Sequence, residues 1–334
     1  MTWVSKMFSM GIPASKPIGG GGRYEYIDIL KGFTIIWVLW MHMNLPELIY
    51  PSVQMPIFFF ISGTFYHVHK PTLWQQVKSD AYKLLLPSLV FSLFAFGYGC
   101  YKGTLDLHGF WHIINQCLSA SIVWFLLALF YFRTMAYGCV KSGKAVWLLW
   151  VALLIYVPGF YLYAHDYTWI IPFVPFSHMG CFMVWFAIGV LFGQQVLSCI
   201  SHPRSTTTVC IMLLAVAYVC MVHFVDWEAG FLAYVPWLAY GAPYTLGIIL
   251  LLLWAAFCMD RISALRPFNR VLAYAGANSI VVYLTHWPLW MYVFKPLDWN
   301  VYVSFAVIVL LEFPLIYMFN HYLPWCIGRK YKHR

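Results

Sequence analysis

The chain has 334 residues, of which 63% are hydrophobic, 20% aromatic and only 9% charged, and its mean hydropathy is +0.74. Since soluble globular proteins carry roughly 25% charged residues, this composition excludes a soluble fold and predicts an all-α, polytopic integral membrane protein. The net charge of +9 is explained by basic segments that face an anionic inner leaflet, so no nucleic-acid partner is expected.

The sequence predicts a flexible cytoplasmic tail over residues 1–22, which ends in four glycines, followed by one membrane domain over residues 23–334. Apolar stretches of about 20 residues, the length that crosses a bilayer, recur through this domain. We place ten spans, at 28–44, 54–69, 84–101, 122–140, 145–163, 179–198, 207–224, 243–259, 271–294 and 301–323. The nine cysteines have no spacing suited to a metal site and are interpreted as small apolar residues.

The basic residues predict the orientation of these spans. With the N-terminus inside, 17 Lys and Arg residues fall in cytoplasmic segments, whereas only Lys102 and Lys295 fall in outer loops. This asymmetry is the positive-inside pattern. We therefore expect both termini on the cytoplasmic side of the cell membrane (the inner or plasma membrane).

The first apolar segment, "EYIDILKGFTIIWVLWMHMN" (residues 25–44), carries charged groups that a membrane helix rarely tolerates. Lys31 and His42 are eleven residues apart, which puts them on nearly the same helix face and about 16 Å apart along the axis. Asp28 can reach Lys31 as an i,i+3 pair. Taken alone, Lys31 is equally well explained by a stem that extends to the headgroups, and His42 is better explained as a hydrogen-bonded core histidine.

The next segment, "MPIFFFISGTFYHVH", contains Ser62 and Gly63, a small-residue pair that permits close helix packing. The two histidines that end it are ordinary residues for a solvated inner interface. We expect a cytoplasmic loop over residues 70–83 that ends with Lys83 in "KLLLP". On its own, Lys83 is typical of a positive-inside segment.

Three further polar residues lie within predicted spans. Arg133 ends the stretch "VWFLLALFYFR", where a charge costs about 2.5–3.5 kcal/mol and needs a partner or a water-filled cavity. Glu312, in the last predicted span, is the only acidic residue that we place well inside the membrane, and it could neutralise either Arg133 or a histidine. His286 lies two residues before Pro288, whose ring removes a backbone hydrogen bond.

Five stretches together resemble the signatures of the acyltransferase 3 family. They are "DILKG" with a histidine eleven positions after its lysine, "MPIFFFISG", "KLLLP", "WFLLAL" and "NSIVVYLTH", in the family's order between residues 23 and 294. The resemblance implies a ten-helix membrane O-acyltransferase that modifies surface polysaccharides, as fucose 4-O-acetylase-like proteins do. Lys31 and Lys83 stand where the family usually or often has Arg, which keeps the charge but loses the planar fork.

The resemblance also implies a reaction. An acyl-coenzyme A, most often acetyl-coenzyme A, is the co-substrate, no cofactor is permanently bound, and the acceptor is a hydroxyl of a cell-surface or lipid-linked sugar. His42 is then the general base, and the catalytic-site lysine Lys31 binds the donor phosphates together with Lys83. Direct transfer is preferred to an acyl intermediate on Ser62. The supporting or acceptor-contacting candidates are Asp28, Ser62, Arg133, His286 and Glu312.

Other function classes compete with this interpretation. A transporter or flippase of a glycan or lipid-linked precursor would also explain ten spans, intramembrane histidines and the aromatic outer loops at 167–176 and 226–240. Those loops fit either a membrane-interface belt or a platform for sugar rings. The two related halves of many transporters are not visible here. A third class, a scaffold or receptor, would not explain the presence of Lys31, His42 and Arg133 within membrane spans.

Overall fold

The computed structural model describes residues 24–46, 53–103, 124–164, 174–202, 206–224 and 237–330, and 87% of them are helical. No β-strand occurs among these residues. Within the described part of the chain, five helices are long and apolar enough to cross a membrane: Leu73–Tyr101, Val146–Tyr163, Phe176–Ser201, Gly241–Arg261 and Val301–His321. The protein is therefore an all-α membrane protein.

The described residues form twelve α-helices, several of which are extended by short π or 3-10 turns. The helices are α1 (Glu25–His42), α2 (Gln54–Thr64), α3 (Leu73–Asp80), α4 (Leu86–Tyr101), α5 (Trp124–Lys141), α6 (Val146–Ala164), α7 (Phe176–Ser201), α8 (Thr206–Phe224), α9 (Trp237–Arg261), α10 (Arg266–Ala277), α11 (Ser279–Pro288) and α12 (Val301–His321). The π turns are Ala81–Leu85 and Leu289–Phe294, and the 3-10 turns are Ser263–Leu265, Lys295–Leu297 and Pro324–Ile327.

Five of the ten predicted spans coincide with the long apolar helices. These five are 84–101, 145–163, 179–198, 243–259 and 301–323. The span expected at 54–69 contains a helix of only 11 residues, and the one expected at 271–294 is interrupted at Asn278, between α10 and α11. The count of ten and the cytoplasmic termini remain predictions. Residues 1–23 and 331–334 lie outside the described part of the chain, as does most of both aromatic outer loops.

The predicted loop over residues 70–83 is wrong, because the chain is helical from Leu73 onward. The side chain of Thr72 caps this helix by accepting a backbone N–H from its first turn at 3.3 Å. Gln76 and Asp80, two polar residues within the predicted loop, are both buried against protein. Hydropathy alone cannot distinguish such a segment from a solvated loop.

The π turn Ala81–Leu85 places Lys83 inside a continuous helix, four residues before Pro87. Pro87 has no N–H to give to the carbonyl of Lys83, and in a regular α-helix its ring would clash with that carbonyl. A locally widened turn relieves this conflict. Single π turns within α-helices frequently occur at functional sites.

The structure divides into two compact units. The first comprises Met1–Gln54, Ser198–Val282 and Asp298–His321, and the second comprises Met55–Leu197, Tyr283–Leu297 and Tyr322–Arg334. In the first unit α1 contacts α9, α10 and α12 and is buried on nearly all of its faces, with Trp37, Leu39 and Ile29 almost fully enclosed. A helix that is apolar all round is suited to such a central position.

In the second unit α2 and α7 approach each other at backbone distance. A Cβ atom added to Gly63 would lie 2.1 Å from the carbonyl oxygen of Phe186, and one added to Gly189 would lie 2.2 Å from that of Phe60. Only glycine fits at such contacts, as in small-residue packing of membrane helices. The predicted small-residue contact at Gly63 is confirmed.

Candidate active site

The predicted site residues are divided between the two units. Asp28, Lys31, His42 and Glu312 belong to the first unit, and Ser62, Lys83, Arg133 and His286 belong to the second. Lys31 and His42 lie on the same uninterrupted helix, α1. At 1.5 Å per residue, their Cα atoms are about 16 Å apart along its axis, as the sequence predicts.

His42 is the last residue of α1, and its imidazole is oriented by the helix itself. Nδ1 lies 2.8 Å from the carbonyl oxygen of Val38, one turn earlier. Since a carbonyl can only accept, Nδ1 carries the proton of the neutral ring, and Nε2 carries the lone pair. The side chain of His42 is exposed. A neutral imidazole with a fixed donor nitrogen is the form that acts as a general base.

Lys31 forms the ion pair with Asp28 that the sequence predicts. Its Nζ lies 3.6 Å from Oδ1 of Asp28, and the two side chains are 24% and 10% exposed. Asp28 is therefore largely enclosed, whereas the ammonium group of Lys31 retains access to solvent or ligand. The carboxylate restrains the direction of the lysine and offsets the cost of its partial burial.

Two glycines allow α1, which carries the ion pair, to pack closely against α10. A Cβ atom on Gly32 would lie 1.9 Å from the carbonyl oxygen of Leu272, and one on Gly276 would lie 1.9 Å from that of Asp28. Backbone carbonyls cannot yield as flexible side chains do, so both positions require glycine. The crossing of α1 and α10 thus fixes Asp28 and its partner Lys31 against the chain immediately before the closing "NSIVVYLTH" stretch.

Asn278, the first residue of that closing stretch, stands at the break between α10 and α11. Its amide nitrogen donates to the carbonyl oxygen of Tyr274 at 2.8 Å, and its amide oxygen accepts from Asn320 at 2.9 Å. The first bond satisfies a carbonyl at the end of α10, and the second fastens the last turn of α12. Asn278 therefore has a structural role in the first unit.

Glu312 and His286 are both buried, as expected for polar groups deep in the membrane domain. Glu312 lies on α12 and is 3% exposed, and His286 lies on α11 and is 2% exposed. The ring of His286 lies 6.1 Å from that of Tyr283, centroid to centroid. His286 is far more enclosed than His42, and so is less accessible to a substrate.

Arg133 pairs with Asp80, a residue that the sequence analysis did not single out. The guanidinium Nη2 lies 3.0 Å from Oδ1 of Asp80, which is 1% exposed, and Gln76 donates to the other carboxylate oxygen at 2.8 Å. Glu312, which the sequence analysis considered as a partner of Arg133, is therefore not required to neutralise its charge. An arginine within a membrane span needs a nearby carboxylate, so the position of Arg133 was the sequence signal that pointed to a partner such as Asp80.

Lys83 is exposed on the π turn that follows α3. A Cβ atom on Gly328, which has a φ of +68°, would lie 2.6 Å from the Cα atom of Lys83, and the hydroxyl of Tyr82 donates to the carbonyl oxygen of Arg329 at 3.1 Å. The C-terminal segment thus braces the turn that carries Lys83. Ser62 is half-buried on α2, next to the close contact at Gly63.

An apolar helical domain with an oriented histidine and a tethered lysine on one helix fits the class of membrane-bound acyltransferases. Comparison with protein families supports that class, since the acyltransferase domain of the acyltransferase 3 family matches residues 24–327. The chain belongs to this family and is a membrane acyltransferase. Among the curated proteins and the solved structures, none matches the chain significantly.

Proposed function

We propose that this protein is an O-acyltransferase of the cell membrane that moves an acetyl group from acetyl-coenzyme A to a hydroxyl of a cell-surface or lipid-linked sugar. Family membership supports acyl transfer in general. The observation that supports base catalysis by His42 is the hydrogen bond between its Nδ1 and the carbonyl of Val38 at 2.8 Å. It leaves Nε2 as the basic nitrogen that alcohol activation requires.

In the proposed reaction Nε2 of His42 takes the hydroxyl proton of the acceptor while its oxygen attacks the thioester carbonyl carbon. The C–O bond forms and the C–S bond breaks. The thiolate of coenzyme A leaves and takes up a proton, with the imidazolium of His42 as the nearest source. Atoms and charges balance without a metal or a redox partner, and a covalent intermediate on Ser62 is not needed.

Donor binding is assigned to Lys31 and Lys83. Lys31 is held by Asp28 at 3.6 Å and lies about 16 Å along α1 from His42, a length that an extended pantetheine arm can span. Lys83 is exposed on its π turn and corresponds to the basic residue of the family's third signature. Both can attract phosphates as point charges, although neither offers the bidentate fork of arginine.

The remaining candidates support the site in this proposal. Asp28 positions Lys31, and the buried Glu312 and His286 remain candidates for supporting or contacting the acceptor, since polar groups within a membrane domain are costly and usually functional. Arg133, with its own carboxylate partner, belongs with the donor-binding side of the second unit. We develop the role of Arg133 below.

The proposal is tested with the purified protein in nanodiscs, using acetyl-coenzyme A labelled in the acetyl group. The acceptors are free and lipid-linked oligosaccharides, with fucose-terminated ones included. We expect release of coenzyme A thiol together with label in a glycan, and mild alkali should remove that label because it is held by an ester. Movement of intact glycan across vesicles without labelling would instead support a flippase.

A further inference from the structure

The second unit gathers four basic side chains around one buried carboxylate. The basic cluster consists of His67, His69, Lys83 and Arg133, and the carboxylate is Asp80. His67 and His69 lie in the segment that joins the end of α2, at Thr64, to the start of α3, at Leu73. His67, His69 and Lys83 are exposed, and the side chain of Arg133 is 17% exposed, so protein atoms do not enclose any of the four completely.

Arg133 is held in place from three directions. Its Nη2 lies 3.0 Å from Asp80, whose other oxygen is fixed by Gln76, and its guanidinium carbon lies 5.1 Å from the ring centroid of Tyr66. The hydroxyl of Tyr66 donates to the backbone carbonyl of Arg133 at 2.9 Å. A guanidinium has five N–H groups in a rigid plane, and this arrangement can present further N–H groups to an anion.

The histidines lie close enough to these charges to respond to them. The ring centroids of His67 and His69 are 5.1 Å apart. Partial desolvation, followed by His67, Arg133 and Lys83, lowers the pKa of His69, while Asp80 opposes this shift. This shift favours the neutral ring of His69, which can donate a ring N–H to an anion without adding charge.

We propose that the basic cluster binds a phosphate group, and that this group is the 3′-phosphate of coenzyme A. Lys83 and Arg133 supply two positive charges against the single charge of Asp80, whose side chain is only 1% exposed. A phosphate monoester matches the planar donors of Arg133 and the point charge of Lys83. The inference rests on the proposed use of acetyl-coenzyme A. Anionic lipid headgroups carry the same phosphate chemistry, and the experiment separates the two sources.

The test compares the binding of coenzyme A and 3′-dephospho-coenzyme A to the full-length protein in phosphatidylcholine nanodiscs. We expect the wild type to bind coenzyme A roughly 10- to 100-fold more tightly, the range of a charged hydrogen-bond pair. Lys83→Gln and His69→Ala change exposed side chains and should bring the affinity for coenzyme A close to that for the dephospho form. Arg133→Lys should reduce the preference further, and the exposed Lys144→Gln should behave as wild type.

Equal affinity of the wild type for both ligands would overturn the inference, as would a preference that survives in Lys83→Gln and His69→Ala. Repeating the measurement with phosphatidylglycerol tests the lipid source. If lipid occupies the basic cluster, phosphatidylglycerol abolishes the preference and the coenzyme A assignment fails; an unchanged preference supports it. Because binding requires no turnover, a protein that shows the preference but transfers no acetyl group contradicts the proposed reaction alone.

Discussion

Gly276 lies against Asp28 so closely that a Cβ atom at position 276 would be 1.9 Å from the carbonyl oxygen of Asp28. This contact joins the start of the membrane domain to the residues just before its closing signature. The carbonyl belongs to the residue that pairs with Lys31 at 3.6 Å. The geometry of the proposed donor-binding lysine therefore depends on a glycine about 250 residues away in sequence.

Gly276→Ala should destabilise the protein, because the added methyl group meets backbone atoms that cannot move aside. We expect a loss of about 1–3 kcal/mol, the range of overpacking substitutions. Gly138→Ala is a matched control, since a Cβ atom there meets no other atom within 4 Å. Thermal unfolding in detergent measures both. Equal stability of the two variants would contradict the close crossing of α1 and α10.

Removing one partner of the Arg133–Asp80 pair should destabilise the protein more than neutralising both partners together. Arg133→Gln leaves the buried carboxylate of Asp80 without its cation, which costs about 3 kcal/mol for a typical buried pair. The double variant Arg133→Gln/Asp80→Asn should recover part of that loss. A double-mutant cycle on melting temperature gives the coupling. Strictly additive losses would show that the two groups do not interact.

Lys31→Ala should weaken acetyl-coenzyme A binding about tenfold, whereas Lys31→Arg should preserve or improve it, because guanidinium matches phosphate better. Equilibrium binding of the donor measures both variants. Lys144→Ala removes an exposed cation elsewhere and serves as the control. Full donor affinity in Lys31→Ala would show that the lysine only extends toward the lipid headgroups.

Both termini should be cytoplasmic, since 17 basic residues fall on the inner side of the ten-span topology and two on the outer side. Reporter fusions to each end are the better assay, because nine native cysteines would complicate labelling of introduced thiols. Fusions to outer positions such as Lys102 provide the opposite control. A terminus found outside would require a different number of spans.

The sequence was sufficient for features that depend on local spacing. The continuity of α1, the i,i+3 pair of Asp28 and Lys31 and the close contact at Gly63 follow from helical periodicity and residue size. Each of these features is determined within a single helix or by the lack of a side chain on glycine. The structure agrees with each of them.

Features that depend on distant contacts were not accessible in the same way. Asp80 looked like part of a polar loop, because its burial comes from Gln76 and Arg133, and the latter is more than 50 residues away. The break at Asn278 was hidden within an apolar stretch for a similar reason, since Asn320 stabilises it. Contacts with residues distant in sequence determine the structure at such positions, and a hydropathy profile carries no information about those contacts.

The pH dependence of turnover follows from the role assigned to His42. Only the neutral imidazole can accept the hydroxyl proton, so activity should be full at high pH and fall as pH drops through the pKa of His42, ordinarily about 6.5. The pH profile of kcat measures this limb. A rate that stays constant well below that range would remove histidine as the base.

The most direct test of the mechanism is the turnover of His42→Gln with labelled acetyl-coenzyme A, compared with His42→Ala and the wild type. Glutamine keeps much of the volume and the hydrogen-bonding capacity of histidine but cannot take up a proton. If His42 is the general base, both variants should reach the membrane and bind the donor normally, while their rates fall about 10²–10⁴-fold. Near wild-type turnover in His42→Gln would contradict this mechanism and would direct attention to His286.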